Sequence, residues 1–129
     1  MSDPRFIGVL SLSPWDGPDP NYTGYDATIA MQVDADFSFI DSKKVKWTAP
    51  KNSVVDGANI PRFAKWVIGG SFQQPYLPAA VIHDVYCRTK VRTWESTAKM
   101  FYEAMICNGV ELVKARTMWL AVYVCGPHW

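Results

Sequence analysis

The chain has 129 residues, of which 49% are hydrophobic, 19% charged and 14% aromatic, with a formal net charge of +1. That length sets a single domain, 1–129, large enough to bury a core without disulfides or a metal, and the near-neutral charge leaves no electrostatic footprint for nucleic acid. No run of about 18 apolar residues is present, so no transmembrane segment is expected, and Met1-Ser-Asp-Pro-Arg-Phe6 lacks the basic start and apolar stretch of a secretory signal.

In chain order, residues 5–12 alternate in polarity and predict a first strand. Ser13 to Gly24 holds three prolines, two glycines and two aspartates, the composition of a loop. Tyr25 to Val33 predicts a second strand, Phe37 to Ile40 a third and Val45 to Ala49 a fourth, with turns at Asp34-Ala-Asp36 and Asp41-Ser-Lys-Lys44. Spacing this short predicts a small antiparallel meander over about 5–50.

The period then changes. Asn59 and Pro61 start a first helix that Gly69-Gly70 ends. Pro78 opens a second through Arg88. Thr93 caps a third, Trp94 to Asn108, and Val110 to Cys125 forms a fourth, closed by Gly126-Pro127. Trp94, Ala98, Phe101 and Met105 make one apolar stripe, and Leu112, Ala115, Trp119 and Val122 make another. The fold class is therefore α+β: a small antiparallel β part of about four strands, followed by a four-helix C-terminal subdomain over about 59–126. Cys87, Cys107 and Cys125 read as buried, reduced thiols.

Chemistry concentrates in one region. His83, one of two histidines, stands beside Asp84 on the second helix, rotated from it by about 100°. An imidazole there can take a proton from water while the carboxylate holds a hard cation, with Asp56 as a second oxygen ligand. The structural readings are a histidine satisfied in the core, Asp84 paired with Arg88 at i+4, and Asp56 as a turn or cap residue. Pro127-His-Trp129 reads as a packing tail, and Lys43, Lys44, Lys46 and Lys51 as a solvated basic face.

Asp56-Gly-Ala-Asn-Ile-Pro61, Ala79-Ala-Val-Ile-His-Asp84 and Phe101-Tyr-Glu-Ala-Met105 together resemble an uncharacterised phage and prophage family. That family reads Asp-Gly-Ala-Ser-Ile-Pro, then Ala-Ala-x-x-His-Asp-x-x-Tyr, then Ala-Asp-x-x-Phe-x-x-x-Met. The resemblance covers about residues 45 to 124. It implies a phage or prophage origin near tail or lysis functions. The His-Asp pair is also similar to the site of calcium-dependent secreted phospholipases, which implies His83 as base and Asp84 as ligand to a divalent cation such as calcium. Two departures stand out. Tyr86 comes one residue early, and the family's second acid falls on Ala98. A base without its orienting carboxylate loses tautomer control, which costs about 10⁴ in rate in hydrolase triads. Glu95, one turn earlier, is the remaining candidate to orient His83.

Two functions are expected from these residues. The first is a virion-associated structural or interaction protein of the tail, baseplate or neck, made in the bacterial host cytoplasm. Its partners are other virion proteins or a second copy of itself, and it keeps a degenerate His-Asp site. The second is a metal-assisted hydrolase of envelope lipid or peptidoglycan, with His83 and Glu95 catalytic and Asp84 and Asp56 binding the ion.

Overall fold

The computed structural model describes residues 3–15, 31–55 and 76–129. Six short strands precede three helices among them. The strands are β1 (Arg5–Ile7), β2 (Leu12–Pro14), β3 (Met31–Val33), β4 (Phe37–Ile40), β5 (Lys46–Ala49) and β6 (Val54–Val55). The helices are α1 (Leu77–Thr89), α2 (Trp94–Cys107) and α3 (Leu112–Cys125). The architecture is α+β, as the segregation of elements implies. The helix expected from Asn59 to Ile68, the strand residues before Met31, and Asp56 lie outside the described residues.

The strands do not form one meander. They form two three-stranded antiparallel sheets, ordered β1-β4-β5 and β2-β3-β6. The cause is visible at Gly8, where φ is +89°. That left-handed backbone favours glycine, and a Cβ there would come within 3.3 Å of the Asp36 carbonyl oxygen. The strand expected over 5–12 is thus cut in two. Its first piece pairs with β4, setting Phe6 opposite Phe39. Its second pairs with β3, setting Leu12 opposite Val33. At the other end, Asn52 takes φ +74° and donates its N–H to the Val33 carbonyl at 2.7 Å. This returns Val54–Val55 to β3 as a sixth strand, where composition reads only the end of the sheet.

β4 and β5 are the one expected hairpin that forms as such. Asp41 organises its turn: its carboxylate accepts the Lys43 and Val45 N–H groups at 2.8 and 2.9 Å and the Trp47 indole N–H at 2.9 Å. A buried carboxylate is tolerated when N–H donors surround it in this way.

α1 lies over the β4–β5 sheet and against β6, and α2 packs on α1. Every α1 residue from Pro78 to Cys87 is buried, so this helix is the centre of the fold. Pro78 sits in its first turn, where a missing N–H costs nothing. The Tyr86 hydroxyl accepts the Thr48 N–H at 3.0 Å and ties α1 to β5. α2 begins at Thr93, whose Oγ1 accepts the Ser96 N–H at 3.2 Å. It buries Ala98, Met100, Phe101, Ala104 and Met105. α3 packs on α2 and is the outermost of the three described helices; it buries only Ala115, Met118, Ala121 and Val122. Beyond it the tail folds back. The Trp129 indole donates to the Arg92 carbonyl at 2.7 Å, and the His128 ring stacks on Trp94 with centroids 3.8 Å apart. Of the thiols, Cys87 is buried but Cys107 and Cys125 are exposed, all three free. The expectation of three buried thiols fails for these two because each ends a helix that turns that side outward.

Candidate functional site

His83 sits at the middle of α1 and is 1% exposed. Its ring lies on that of Phe101 from α2, centroids 4.8 Å apart and planes tilted by 40°. Its hydrogen-bond contact among the described residues is the Cys87 sulfur, 3.6 Å from Nε2 and 3.7 Å from Nδ1. Burial pushes the imidazole well down, to about 4, so it is neutral at neutral pH. Removing an ionisable ring from water disfavours its charged form. The same burial raises the Cys87 thiol, reinforced by the charge of Asp84, so Cys87 stays protonated and weakly nucleophilic.

Asp84 is equally buried at 1%. Its Oδ2 lies 2.9 Å from Arg88 Nε, one turn along the same helix. The i,i+4 pairing read from sequence is therefore present, but inside the protein rather than on its surface. A buried carboxylate needs such a partner, since an uncompensated one is far more costly.

Glu95 does not join them. It is exposed in the first turn of α2 and lines a groove on the side toward α3. It forms no hydrogen bond with His83. Ala98, the position of the resembling family's second acid, is fully buried one turn before Phe101 on the same face. Asp56 lies outside the described residues. Among the described residues no three His, Cys, Asp or Glu side chains gather where a cation could sit. Of the two oxygen ligands named for calcium, only Asp84 lies among the described residues. Asp84 is already committed to a guanidinium.

Besides a hollow of about 360 Å³ lined by Pro4, Ile106, Cys107 and Leu112, two further concave features lie elsewhere among the described residues. The first is the groove between α2 and α3, about 490 Å³, walled by Tyr102, Trp119, Leu120 and Tyr123, with Glu95, Lys99 and Arg116 at its edges. Its aromatic rings are in contact: Tyr102 meets Trp119 at 6.4 Å and Trp119 meets Tyr123 at 5.2 Å between centroids, and Tyr123 in turn meets Trp94 outside the groove at 4.9 Å. Past Leu120 the apolar surface continues along the outside of α3. Val113, Leu120 and Val124, at i, i+7 and i+11, are 67%, 54% and 60% exposed. The signal for this was present in the sequence, because α3 carries apolar residues on all sides. Such a helix is ordinarily covered on every side. The second feature is a cavity of about 210 Å³ between the β4–β5 hairpin and α2, bordered by Arg92. Reading the sequence for motifs found neither, because both are assembled from residues far apart in the chain.

With the geometry in place, comparison with known proteins gives the family. Residues 31–122 match the model of a family described as protein of unknown function (DUF1353). The chain belongs to the DUF1353 family. The matched span takes in β3 through nearly all of α3, including His83, Asp84 and the α2–α3 groove apart from Tyr123. Two curated relatives, both from Sinorhizobium fredii, are similar. Uncharacterized protein y4jT is 41% identical over 125 residues, covering 97% of this chain and 36% of that protein. Uncharacterized protein y4iH is 42% identical over 95 residues, covering 74% of this chain and 40% of that protein. The chain therefore spans well under half the length of the curated relatives it matches. No solved structure matches it. None of the helices is long and apolar enough to cross a membrane among the described residues.

Proposed function

We propose that this DUF1353 chain is an interaction protein of a bacteriophage-derived particle, a virion-associated component of the tail, baseplate or neck. In this reading it receives an apolar helical segment of another particle protein in the groove between α2 and α3. The observation that carries the reading is the α3 surface. The outermost of the described helices exposes Val113, Leu120 and Val124 in one stripe beside an aromatic groove, and contiguous exposed apolar surface marks a place where another molecule sits. The groove has the volume of an ordinary binding cleft. Its shape suits the mode in which an amphipathic helix lays its apolar face between two others, with Lys99, Arg116 and Glu95 placed for polar contacts at the rim. The burial of His83 against Phe101 agrees with it, since that ring contact serves packing. The longer relatives fit as well: there this domain travels with further chain, as a module that packs on other protein would.

The test is composition of purified particles from an induced lysogen carrying a tagged copy of the chain. The chain is expected in the particle fraction. Leu120→Lys, at an exposed position where stability changes by no more than about 0.5 kcal/mol, is expected to lower its incorporation by at least about tenfold, the equivalent of a lost anchor at an interface. Particles that assemble fully without the native chain would overturn the reading.

The hydrolase is the second reading, and one observation favours it: an imidazole and a carboxylate stand adjacent on one helix, both out of water, an arrangement common where pKa values are tuned for chemistry. His83 is then the base, with Asp84 and Asp56 as oxygen ligands, while Glu95, which lines the α2–α3 groove, forms no hydrogen bond with it. Unchanged lytic activity of a folded His83→Ala chain disposes of it.

A further inference from the structure

The cavity between the β4–β5 hairpin and α2 lies apart from both the His83 region and the α2–α3 groove. Its most distinctive group is Arg92, in the turn from α1 to α2. The guanidinium carbon stands 4.4 Å from the centre of the Trp47 ring and 5.3 Å from that of Tyr86. The backbone of the same residue is fixed from behind by the Trp129 indole, which donates to its carbonyl. The side chain is thus held in place before any ligand arrives. Yet among the described residues none of its N–H donors has an acceptor, and Nη1 is buried. A guanidinium is a planar fork of five donors, and a buried donor left unmatched is expensive. Stacking on aromatic faces supplies attraction to the charge but no acceptor in the plane of the fork.

The remaining charges around the cavity point the same way. Lys43 on the hairpin and Lys99 on α2 line it and form no ion pair among the described residues. The two carboxylates that also line it are engaged. Asp41 holds three N–H donors of its own hairpin, and Glu103 accepts the Ser42 N–H at 3.2 Å. Three cations against two carboxylates leave one positive charge in excess. Val45, Trp47 and Met100 complete the wall with apolar surface.

We infer that this cavity is a carboxylate-binding site, in which Arg92 grips a single carboxylate through its fork while Lys43 and Lys99 supply the field and Trp47 and Val45 take the short apolar stem behind it. A carboxylate fits better than a phosphate on two counts. One excess positive charge matches a monoanion, and a planar fork matches a planar two-oxygen acceptor. The carboxylate can come from a free small acid or from an acidic side chain of a protein partner; both present the same group.

The experiment is a titration of the folded chain followed by amide NMR. The probes are sodium butyrate, the neutral isostere butyramide, inorganic phosphate, and a blocked tripeptide carrying one Glu or, as control, one Gln. Saturable shifts centred on Val45, Arg92 and Ser96 are expected with butyrate or the Glu peptide and not with butyramide or the Gln peptide. Whichever of the two acids binds at least about tenfold tighter identifies the source, free acid or protein segment. Arg92→Gln is expected to weaken binding by at least about tenfold, and Arg92→Lys by several-fold because it keeps the charge and loses the fork. Lys43→Gln, at an exposed residue that leaves the fold intact, is expected to weaken binding about two- to threefold, most at low salt. Equal shifts with acid and amide, unchanged affinity in Arg92→Gln, phosphate binding more tightly than either acid, or no saturable binding of any acid would each overturn the inference.

Discussion

His83 and Phe101 face each other across the junction of α1 and α2, ring centroids 4.8 Å apart, and the burial of this junction makes the central helix sensitive to protons. The imidazole is fully buried and its pKa falls from 6.5 to about 4 through loss of hydration. Between those values the unfolded chain binds a proton that the folded chain refuses, so stability rises with pH across that window. The stabilisation is complete above about pH 6.5, declines as the pH falls, and is gone near pH 4. The shift corresponds to roughly 3 kcal/mol. Urea unfolding at pH 7.0 and 4.5 is expected to show most of that loss. His83→Leu, which carries nothing to protonate, is expected to remove most of the pH dependence. Asp34, whose carboxyl is held low by the Ser13 and Ser11 hydroxyls, acts only at lower pH, below the ordinary aspartate value of 3.8. An unchanged pH dependence in His83→Leu would sink the account.

Restoring an acid at Ala98 tests the same interface from the other side. Ala98 is fully buried on the face of α2 that carries Phe101. An aspartate there enters without the donors a buried carboxylate needs, at a cost of about 3–5 kcal/mol at pH 7. Its folded pKa would lie above its unfolded value, so this variant is expected to gain stability relative to the parent as the pH falls toward 4, opposite in sign to the effect of His83. Thermal melting at pH 7.5 and 5.0 gives the comparison. A variant as stable as the parent at pH 7.5 would mean that the acid finds a ready partner, with His83 the first candidate to examine by its ring resonances.

The helical half was legible because its patterns are local. Thr93 caps α2 as read, Ala98, Phe101 and Met105 all point inward, and the Asp84–Arg88 spacing yields the pair itself. What the sequence did not carry was depth. A salt-bridged aspartate at i,i+4 looks the same on a surface as in a core, and only the sheet lying beneath α1 decides between them. The strand error has a similar origin, since alternation over residues 5–12 cannot show that Gly8 turns the chain into a different sheet. α3 resisted for another reason: with apolar residues on every side, periodicity selects no inner face. Arg92 gave no signal at all, because its significance depends on Trp47, some forty-five residues earlier in the chain.

The Asp84–Arg88 pair supports a third prediction. Both side chains are largely out of water, with 2% of the aspartate and 10% of the arginine side chain exposed. Removing one member leaves the other charge without compensation, so Asp84→Asn and Arg88→Met are each expected to cost about 3–5 kcal/mol. Replacing both, Asp84→Asn with Arg88→Met, removes the charges together and is expected to recover more than half of the single-variant loss. Chemical denaturation of the four chains completes the double-mutant cycle. Single variants within about 1 kcal/mol of the parent would show that water reaches the pair.

The turn that positions Arg92 carries visible strain. Lys90 closes α1 with φ +55° and ψ +30°, its N–H donating to the Tyr86 carbonyl at 2.9 Å. A side chain in this left-handed conformation is disfavoured by roughly 1–2 kcal/mol, whereas glycine is not. Glycine also makes the unfolded chain more flexible, which offsets part of the gain. Lys90→Gly is therefore expected to stabilise the protein by about 0.5–1 kcal/mol, read as a higher urea midpoint with an unchanged slope. Lys90→Val, with a branched Cβ in the same conformation, is expected to destabilise it by more than 1 kcal/mol or so. The order Gly above Lys above Val is the decisive result. The reverse order would mean that the Lys90 side chain itself holds the turn, and Arg92 with it.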